Sequence, residues 1–220
     1  YVRWINANLG FNPRGAKNSD AISGYVLEDL RTASPKAIKV LVDSGNLIPT
    51  KNANVEVGMT VRNIDLVFRQ RESPNVQLSI ENKTIMTAHG KARKNRYGDI
   101  IAYDNHLHNH RPDCVAGATV VINASEAYEN PDSFAKGLVR KKIKIDKVVA
   151  DTIGVFEKIP LRDLPSDRTE LPEALAVIVI NYDGVNEATL VEGIPDPSSP
   201  SHYDNFIRRL AAIYEDRFCQ

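Results

Sequence analysis

The chain has 220 residues, with 28 basic and 28 acidic side chains, no formal net charge, and 42% hydrophobic residues. These values predict one soluble globular domain over 1–220 and argue against a basic protein that coats nucleic acid. No apolar run approaches the ~20 residues of a membrane span, so no membrane partner is expected. Cys114 and Cys219 stand far apart and predict free thiols.

The first third of the chain predicts two helices. Residues 1–18 carry glycine, proline and asparagine without periodicity and predict an irregular arm. Ser19-Asp20 predicts the N-cap of a helix that ends near Arg31. Its expected buried stripe is Ile22, Tyr25, Val26 and Leu30. Ser34-Pro35 predicts a second helix to about residue 44, ended by Gly45.

Three segments with alternating or apolar character predict strands. The first is expected around Val55, Val57, Met59 and Val61, with a turn or bulge near Arg62-Asn63. The second is 63–68, and the third is 76–83. Because the polar connection 69–75 contains Pro74, the second and third strands are expected to form a hairpin.

The rest of the chain predicts a helix, two buried strands and a final helix. Residues 97–105 have helical periodicity, whereas the histidine-rich segment 106–110 predicts an exposed loop. The apolar runs 115–124 and 174–182 predict strands that are buried on both faces. A helix over 203–218 would cover the sheet. The predicted fold class is therefore α/β, with a central mixed β-sheet flanked by helices.

Domain organisation and charge distribution add two expectations. The core is predicted over 19–125 and 173–220, and the segment 126–172 is predicted to be an insertion. Two stretches concentrate positive charge: 83–96 has five Lys or Arg and no acid, and 136–147 has six against Asp146. Such stretches can bind phosphates or form solvated basic faces.

The third predicted strand places a carboxylate and an ammonium on one face. Alternation places Glu81 beside Lys83, and the hairpin can bring Asp65 opposite Glu81. Two carboxylates and a lysine together suit a divalent metal ion beside a phosphate.

Asp65 followed by Glu81-Asn82-Lys83 resembles the signature of the PD-(D/E)XK, or restriction-endonuclease-like, nuclease superfamily. The resemblance covers the second and third strands of that family's core. It departs from the family at Ile64, where many members have proline. It implies a restriction-endonuclease-like core and metal-dependent hydrolysis of phosphodiester bonds in DNA.

The resemblance also implies roles for these residues. Asp65, Glu81 and the backbone carbonyl of Asn82 would hold Mg²⁺, for which Mn²⁺ can substitute, and Lys83 would position or activate the attacking water. Glu28, on the preceding helix, is a candidate third acid, the alternative being a surface glutamate. Candidate DNA contacts follow the catalytic strand: His89, Lys91, Arg93, Lys94, Asn95 and Arg96.

Among members of that superfamily, the chain looks most like a type II restriction endonuclease. Such enzymes usually act as homodimers on double-stranded DNA, here expected in the cytoplasm of a prokaryotic cell. A repair or defence nuclease of the same fold is an alternative. No glycine-rich phosphate loop or dinucleotide fingerprint is present, so no nucleotide cofactor is expected.

Other interpretations remain open from the sequence. The chain could bind DNA without cutting it, or Glu81 and Lys83 could form an exposed charge pair worth a fraction of a kcal/mol. A histidine-centred nuclease would instead use His106, His108 and Asn109.

Overall fold

The structure is a computed structural model that describes residues 1–11, 15–128 and 144–219. The helices of this part of the chain are α1 (Val2–Ala7), α2 (Ala16–Ala33), α3 (Ile38–Asp43), α4 (His89–His110), α5 (Ile145–Phe156) and α6 (Tyr203–Phe218). Its strands are β1 (Leu47–Val57), β2 (Thr60–Gln70), β3 (Val76–Ile85), β4 (Val115–Asn123), β5 (Ala174–Asn181) and β6 (Thr189–Leu190).

The strands form one six-stranded mixed sheet in the order β1-β2-β3-β4-β5-β6. β1, β2 and β3 are joined by antiparallel hairpins, β4 and β5 run parallel to β3, and β6 pairs antiparallel with β5. A crossover that contains α4 connects β3 to β4, and a crossover that contains α5 connects β4 to β5. The α/β class, the hairpin and the mixed sheet are confirmed.

Helices cover both faces of the sheet. On one face α2 and α6 pack against alternate residues of β2 to β5, such as Ile80, Val121 and Ala176. On the other face α4 and α5 pack against the intervening residues, such as Val120 and Val177. Because both faces are covered, β4 is buried along its whole length, as its continuous apolar run predicted.

The N-terminal prediction was wrong in two respects. Residues 1–18 include α1 and the start of α2, which begins at Ala16 after the N-cap Gly15. The rings of Trp4, Phe11 and Tyr182 pack together, so tertiary contact orders a segment that lacks local periodicity. Ser19 therefore lies inside α2 and does not cap it.

The first hairpin turns earlier than the sequence suggested. β1 begins at Leu47 and ends at Val57, and the turn lies at Gly58 and Met59 rather than near Arg62-Asn63. Gly58 adopts a positive φ of 62°, and the Met59 side chain points fully into solvent. The alternation of apolar residues ran through this turn and concealed it.

One later expectation was also wrong. The histidine-rich segment is the last turn and a half of α4, because Leu107 and His108 are buried against the core. Within the segment 126–172, which stays a predicted insertion, α5 packs into a hydrophobic cluster on the sheet. Most of the second basic stretch lies outside the described residues.

The final helix and the cysteines agree with prediction. α6 spans Tyr203–Phe218 with Phe206, Leu210 and Tyr214 buried, and Cys114 is a buried free thiol at the entry of β4. None of the helices in the described ranges combines the length and apolar character needed to cross a bilayer.

Candidate active site

The structure brings the three predicted signature residues together. Asp65, Glu81 and Lys83 line one cavity of about 420 Å³ at the junction of β2, β3 and the N-terminal part of α2. Asn18, Ser19 and Arg96 line the same cavity. The proximity follows from the hairpin register, in which Leu66 pairs with Ile80 and the next position on each strand is Asp65 and Glu81.

The Asp65 carboxylate is fixed where the β2–β3 ladder ends. Oδ2 accepts a hydrogen bond from the backbone N–H of Asn82 at 2.7 Å, and Oδ1 accepts one from Ser19 Oγ at 2.6 Å. Ser23 Oγ also donates to the Asp65 backbone carbonyl, at 3.3 Å. A carboxylate oxygen can accept two hydrogen bonds, so each oxygen keeps capacity for another ligand.

The Asn82 side chain connects this strand to two neighbours. Its Nδ2 donates to Ser23 Oγ at 2.9 Å and to Ser19 Oγ at 3.1 Å, while Oδ1 accepts from Thr119 Oγ1 at 2.8 Å. Asn82 is nearly buried, so these bonds satisfy polar atoms that would otherwise be costly. The side chain therefore holds α2 against β3 and β4, on the face opposite Glu81 and Lys83.

Glu81 and Lys83 form an ion pair that is largely shielded from solvent. Their side chains are only 12% and 16% exposed, which excludes the exposed charge pair considered from the sequence. Burial raises the pKa of the Glu81 carboxyl; the Lys83 ammonium opposes this rise, and the charge of Asp65 adds to it. Glu81 Oε2 has no hydrogen-bond partner among the described residues.

The face of β3 that carries Glu81 is covered by α4. Ser79 on this face is buried and accepts a hydrogen bond from Tyr103 of α4 at 2.6 Å. At the start of β3, a bulge pairs Arg69 with Val76. The predicted alternation of side chains between the two faces of the strand therefore shifts at this point. Val76 consequently packs against Tyr103 and Leu107, not with Leu78 and Ile80.

The predicted DNA contacts divide into accessible and buried residues. Lys91, Lys94 and Asn95 are exposed on the first turns of α4. Arg96 reaches the cavity, and its Nη1 donates to Asp99. His89 cannot contact DNA in this structure, because it is buried and its Nε2 lies 2.7 Å from the Asn123 carbonyl oxygen.

Arg93 and Glu28 lie away from the signature residues. The Arg93 guanidinium is 3.8 Å from the Asp151 carboxylate of α5. The Glu28 side chain is 65% exposed and pairs with Arg31 of the same helix at 3.0 Å, so Glu28 does not reach the cavity.

The histidines of α4 do not form a common site. His108 is buried, with Nδ1 2.9 Å from the Thr169 carbonyl oxygen and Nε2 3.2 Å from the Glu173 carboxylate. His106 is exposed and accepts a hydrogen bond from Arg62, and Asn109 bonds Asn105. Residues two apart on a helix point in different directions, so this arrangement gives the histidine-centred interpretation no support.

A second, larger cavity of about 530 Å³ lies between α1, α2 and the start of α6. Apolar side chains such as Ile22, Ile178 and Ile194 dominate its walls. None of the described residues that line it is a lysine, and its Asp29 carboxylate accepts a hydrogen bond from Tyr203. The chemistry therefore favours the smaller cavity as the candidate active site.

Ser19, Ser23 and Thr119 are site residues that the sequence did not reveal. They lie far from Asn82 along the chain and meet it only in the folded protein. One sequence signal was available. Asn82 follows Leu78 and Ile80 at the two-residue spacing of a strand, so it falls on the same face as these apolar residues. A polar residue at a buried position of a strand indicates a specific hydrogen-bond network.

No group of three or more His, Cys, Asp or Glu side chains within the described ranges is arranged to hold a metal ion. The candidate site instead offers two carboxylates, a donor set that Mg²⁺ accepts when water and phosphate complete its shell. Comparison of the chain with protein-family models, curated proteins and solved structures found no match.

Proposed function

We propose that the protein is a metal-dependent endodeoxyribonuclease with a restriction-endonuclease-like core. The observation that carries the proposal is the convergence of Asp65, Glu81 and Lys83 in one cavity on two paired strands. The helix-covered mixed sheet is compatible with that core.

The cavity residues fit a magnesium ion. Both Asp65 oxygens retain a free lone pair, and Glu81 Oε2 has no hydrogen-bond partner among the described residues. The repulsion between the two carboxylates contributes to the raised pKa of Glu81. A divalent cation would relieve this repulsion. Asp65, Glu81 and the Asn82 backbone carbonyl would hold the ion, and Mn²⁺ would substitute for Mg²⁺.

Each signature residue then has a part in phosphodiester hydrolysis. When bound, a divalent ion would neutralise phosphate charge and make a nearby water a stronger acid. Lys83, held beside Glu81, donates to a phosphate oxygen and orients the attacking water. As the oxygen of the attacking water bonds to phosphorus, this water releases a proton to solvent. The bond from phosphorus to the 3′ oxygen breaks, and the leaving 3′ oxygen takes a proton from solvent.

The basic first turns of α4 supply positive charge next to this cavity. Lys91, Lys94 and Asn95 would contact the DNA backbone from solvent, and Arg96 would do so inside the cavity. Each neutralised phosphate adds affinity and salt dependence. By analogy with type II restriction endonucleases, the proposed substrate is double-stranded DNA and the proposed assembly is a homodimer.

Incubation of the wild-type protein with supercoiled plasmid and genomic DNA tests the proposal. We expect discrete fragments with Mg²⁺ or Mn²⁺ and none when a chelator removes the ion. Intact DNA under all metal conditions would contradict the proposed nuclease activity. DNA binding without cutting would instead favour a non-catalytic DNA-binding protein.

A further inference from the structure

One arginine beside the candidate site is held by a histidine. Arg62 lies on β2 three residues before Asp65, and its Nε donates a hydrogen bond to Nδ1 of His106 at 3.0 Å. Nδ1 can accept this bond only in the neutral ring, with the other proton on Nε2. The contact joins the β1–β2 hairpin to α4 at an exposed edge of the protein.

The outer edge of the Arg62 guanidinium is free. Neither Nη1 nor Nη2 has a hydrogen-bond partner within the described part of the chain. Other arginines use these terminal nitrogens on protein acceptors: Arg31 pairs with Asp43, and Arg96 with Asp99. Arg62 is thus held through Nε, while its two terminal amino groups make no hydrogen bond to the described residues.

Arg62 also lies close enough to the site to act on it electrostatically. Its charge lowers the pKa of Glu81 and so opposes the effect of burial on that carboxyl. The next residue, Asn63, lines the cavity. Two parallel N–H donors on a planar guanidinium match the spacing of two phosphate oxygens.

We propose that Arg62 binds a phosphate group of the DNA strand that enters the cavity, and that His106 is the positioning residue that fixes its guanidinium. This inference rests on the proposed nuclease function and adds a phosphate-binding residue to it. Arg62 would contact the phosphate from the β1–β2 hairpin, next to Asn63 in the cavity wall.

The salt dependence of DNA binding measures this contact directly. Binding of a short mixed-sequence duplex, without divalent metal, is compared for wild type, Arg62→Gln and Arg71→Gln. Arg71 is an exposed arginine of the β2–β3 connection, so its variant makes the same change in charge. Losing one phosphate contact should reduce the slope of log K against log salt by about 0.9 in Arg62→Gln and leave the slope of Arg71→Gln unchanged.

Two further variants separate charge from geometry. Arg62→Lys keeps the positive charge but not the planar pair of donors, so we expect a wild-type slope with DNA cleavage reduced at least about tenfold. His106→Asn retains an acceptor near the position of Nδ1, whereas His106→Leu removes it. Cleavage should therefore fall in His106→Leu and be restored in His106→Asn, with thermal melting confirming that each variant is folded.

The outcomes distinguish this inference from the function on which it rests. Equal slopes for Arg62→Gln and Arg71→Gln, with normal wild-type binding, would overturn the Arg62 contact alone. Equal cleavage by His106→Leu and His106→Asn would overturn the positioning role. A wild-type protein that neither binds nor cuts DNA would overturn the proposed function and this inference with it.

Discussion

Asp104 is a carboxyl group in the interior of the protein that has no hydrogen-bond partner among the described residues. Its side chain on α4 is fully buried, and neither carboxylate oxygen has an acceptor or donor contact among the described residues. Burial raises the pKa of Asp104 well above its usual value, and the nearby charges of Glu173 and Glu81 add to the rise, which Arg162 opposes. The folded protein therefore favours the neutral acid at this position.

Asp104→Asn should stabilise the protein in a pH-dependent manner. Because the folded pKa is raised, the native protein retains a proton that the unfolded chain releases, and stability falls as pH rises above the unfolded pKa. The gain from the variant should be near zero in acid and grow by about 1.4 kcal/mol per pH unit until the folded pKa is reached. Urea unfolding at a series of pH values measures it.

The exposed Asp146→Asn on α5 is the matched control for this series. It removes the same charge from a solvated position. A pH trend of the same size in both variants would show that burial of Asp104 does not cause the effect.

At the scale of elements, the β1–β2 hairpin is held against α4 at two points. One is the Arg62–His106 hydrogen bond, and the other is a close approach of His110 to Gly58 in the turn. A Cβ at residue 58 would lie 2.5 Å from His110 Nε2, and Gly58 has a φ of +62°. The apolar side chains between these points, including Val55 and Val57, pack against α4.

Gly58→Ala should loosen this hairpin by two separable effects. The positive φ alone costs about 1–2 kcal/mol for a residue with a Cβ. Gly45→Ala isolates that cost, because its φ is +72° and no atom lies near its Cβ. We expect Gly58→Ala to lower the free energy of unfolding more than Gly45→Ala, as measured by chemical denaturation.

Gly58→Ala is expected to lose more stability than Gly45→Ala because its Cβ clashes with the His110 ring. Combining Gly58→Ala with His110→Ala should therefore recover this additional loss in the free energy of unfolding. Equal costs for Gly45→Ala and Gly58→Ala would instead mean that the turn is not packed against α4.

The β1–β2 and β2–β3 hairpins together show what sequence patterning could establish. The period of two in β3 and a polar connection sufficed to predict that Asp65 and Glu81 lie on paired strands. The position of the first turn was missed, because Met59 and Val61 continue the apolar alternation although both are exposed. Alternation reports which residues could face a core and does not show where a chain reverses.

At the scale of the whole molecule, Glu173 joins four parts of the fold. Its carboxylate accepts from the Ala116 backbone N–H at 2.7 Å and contacts Arg217 Nη1 at 2.7 Å, Arg162 Nη1 at 3.3 Å and His108 Nε2 at 3.2 Å. Burial alone would raise the pKa of Glu173, but the hydrogen bond and charge of His108, with these other partners, hold it below its usual value.

Glu173→Ala should destabilise the protein by about 3–5 kcal/mol, because it leaves buried positive charges without a partner. Glu170→Ala is the matched control, since Glu170 pairs with Arg168 near the surface and should change stability by about 1 kcal/mol or less. Chemical denaturation compares them. Similar losses in the two variants would contradict a structural role for the buried cluster.

Long-range contacts set the limit of prediction at this scale. α6 and the buried strands could be predicted because each carries its own apolar period or run. Sequence patterning could not predict the hydrogen-bond network of Ser19, Ser23 and Asn82 or the Arg62–His106 hydrogen bond. Each of them joins residues that are far apart in sequence. Only the packing of α2 and α4 on the sheet brings them together.

The most direct test of the proposed active site is metal-dependent plasmid cleavage by Glu81→Gln and Lys83→Ala. Glu187→Gln and Lys158→Ala make matched changes at exposed positions away from the cavity. We expect wild-type cleavage in both controls and a loss of at least about 100-fold in both site variants. Undiminished cutting by Glu81→Gln and Lys83→Ala would show that the chemistry takes place elsewhere.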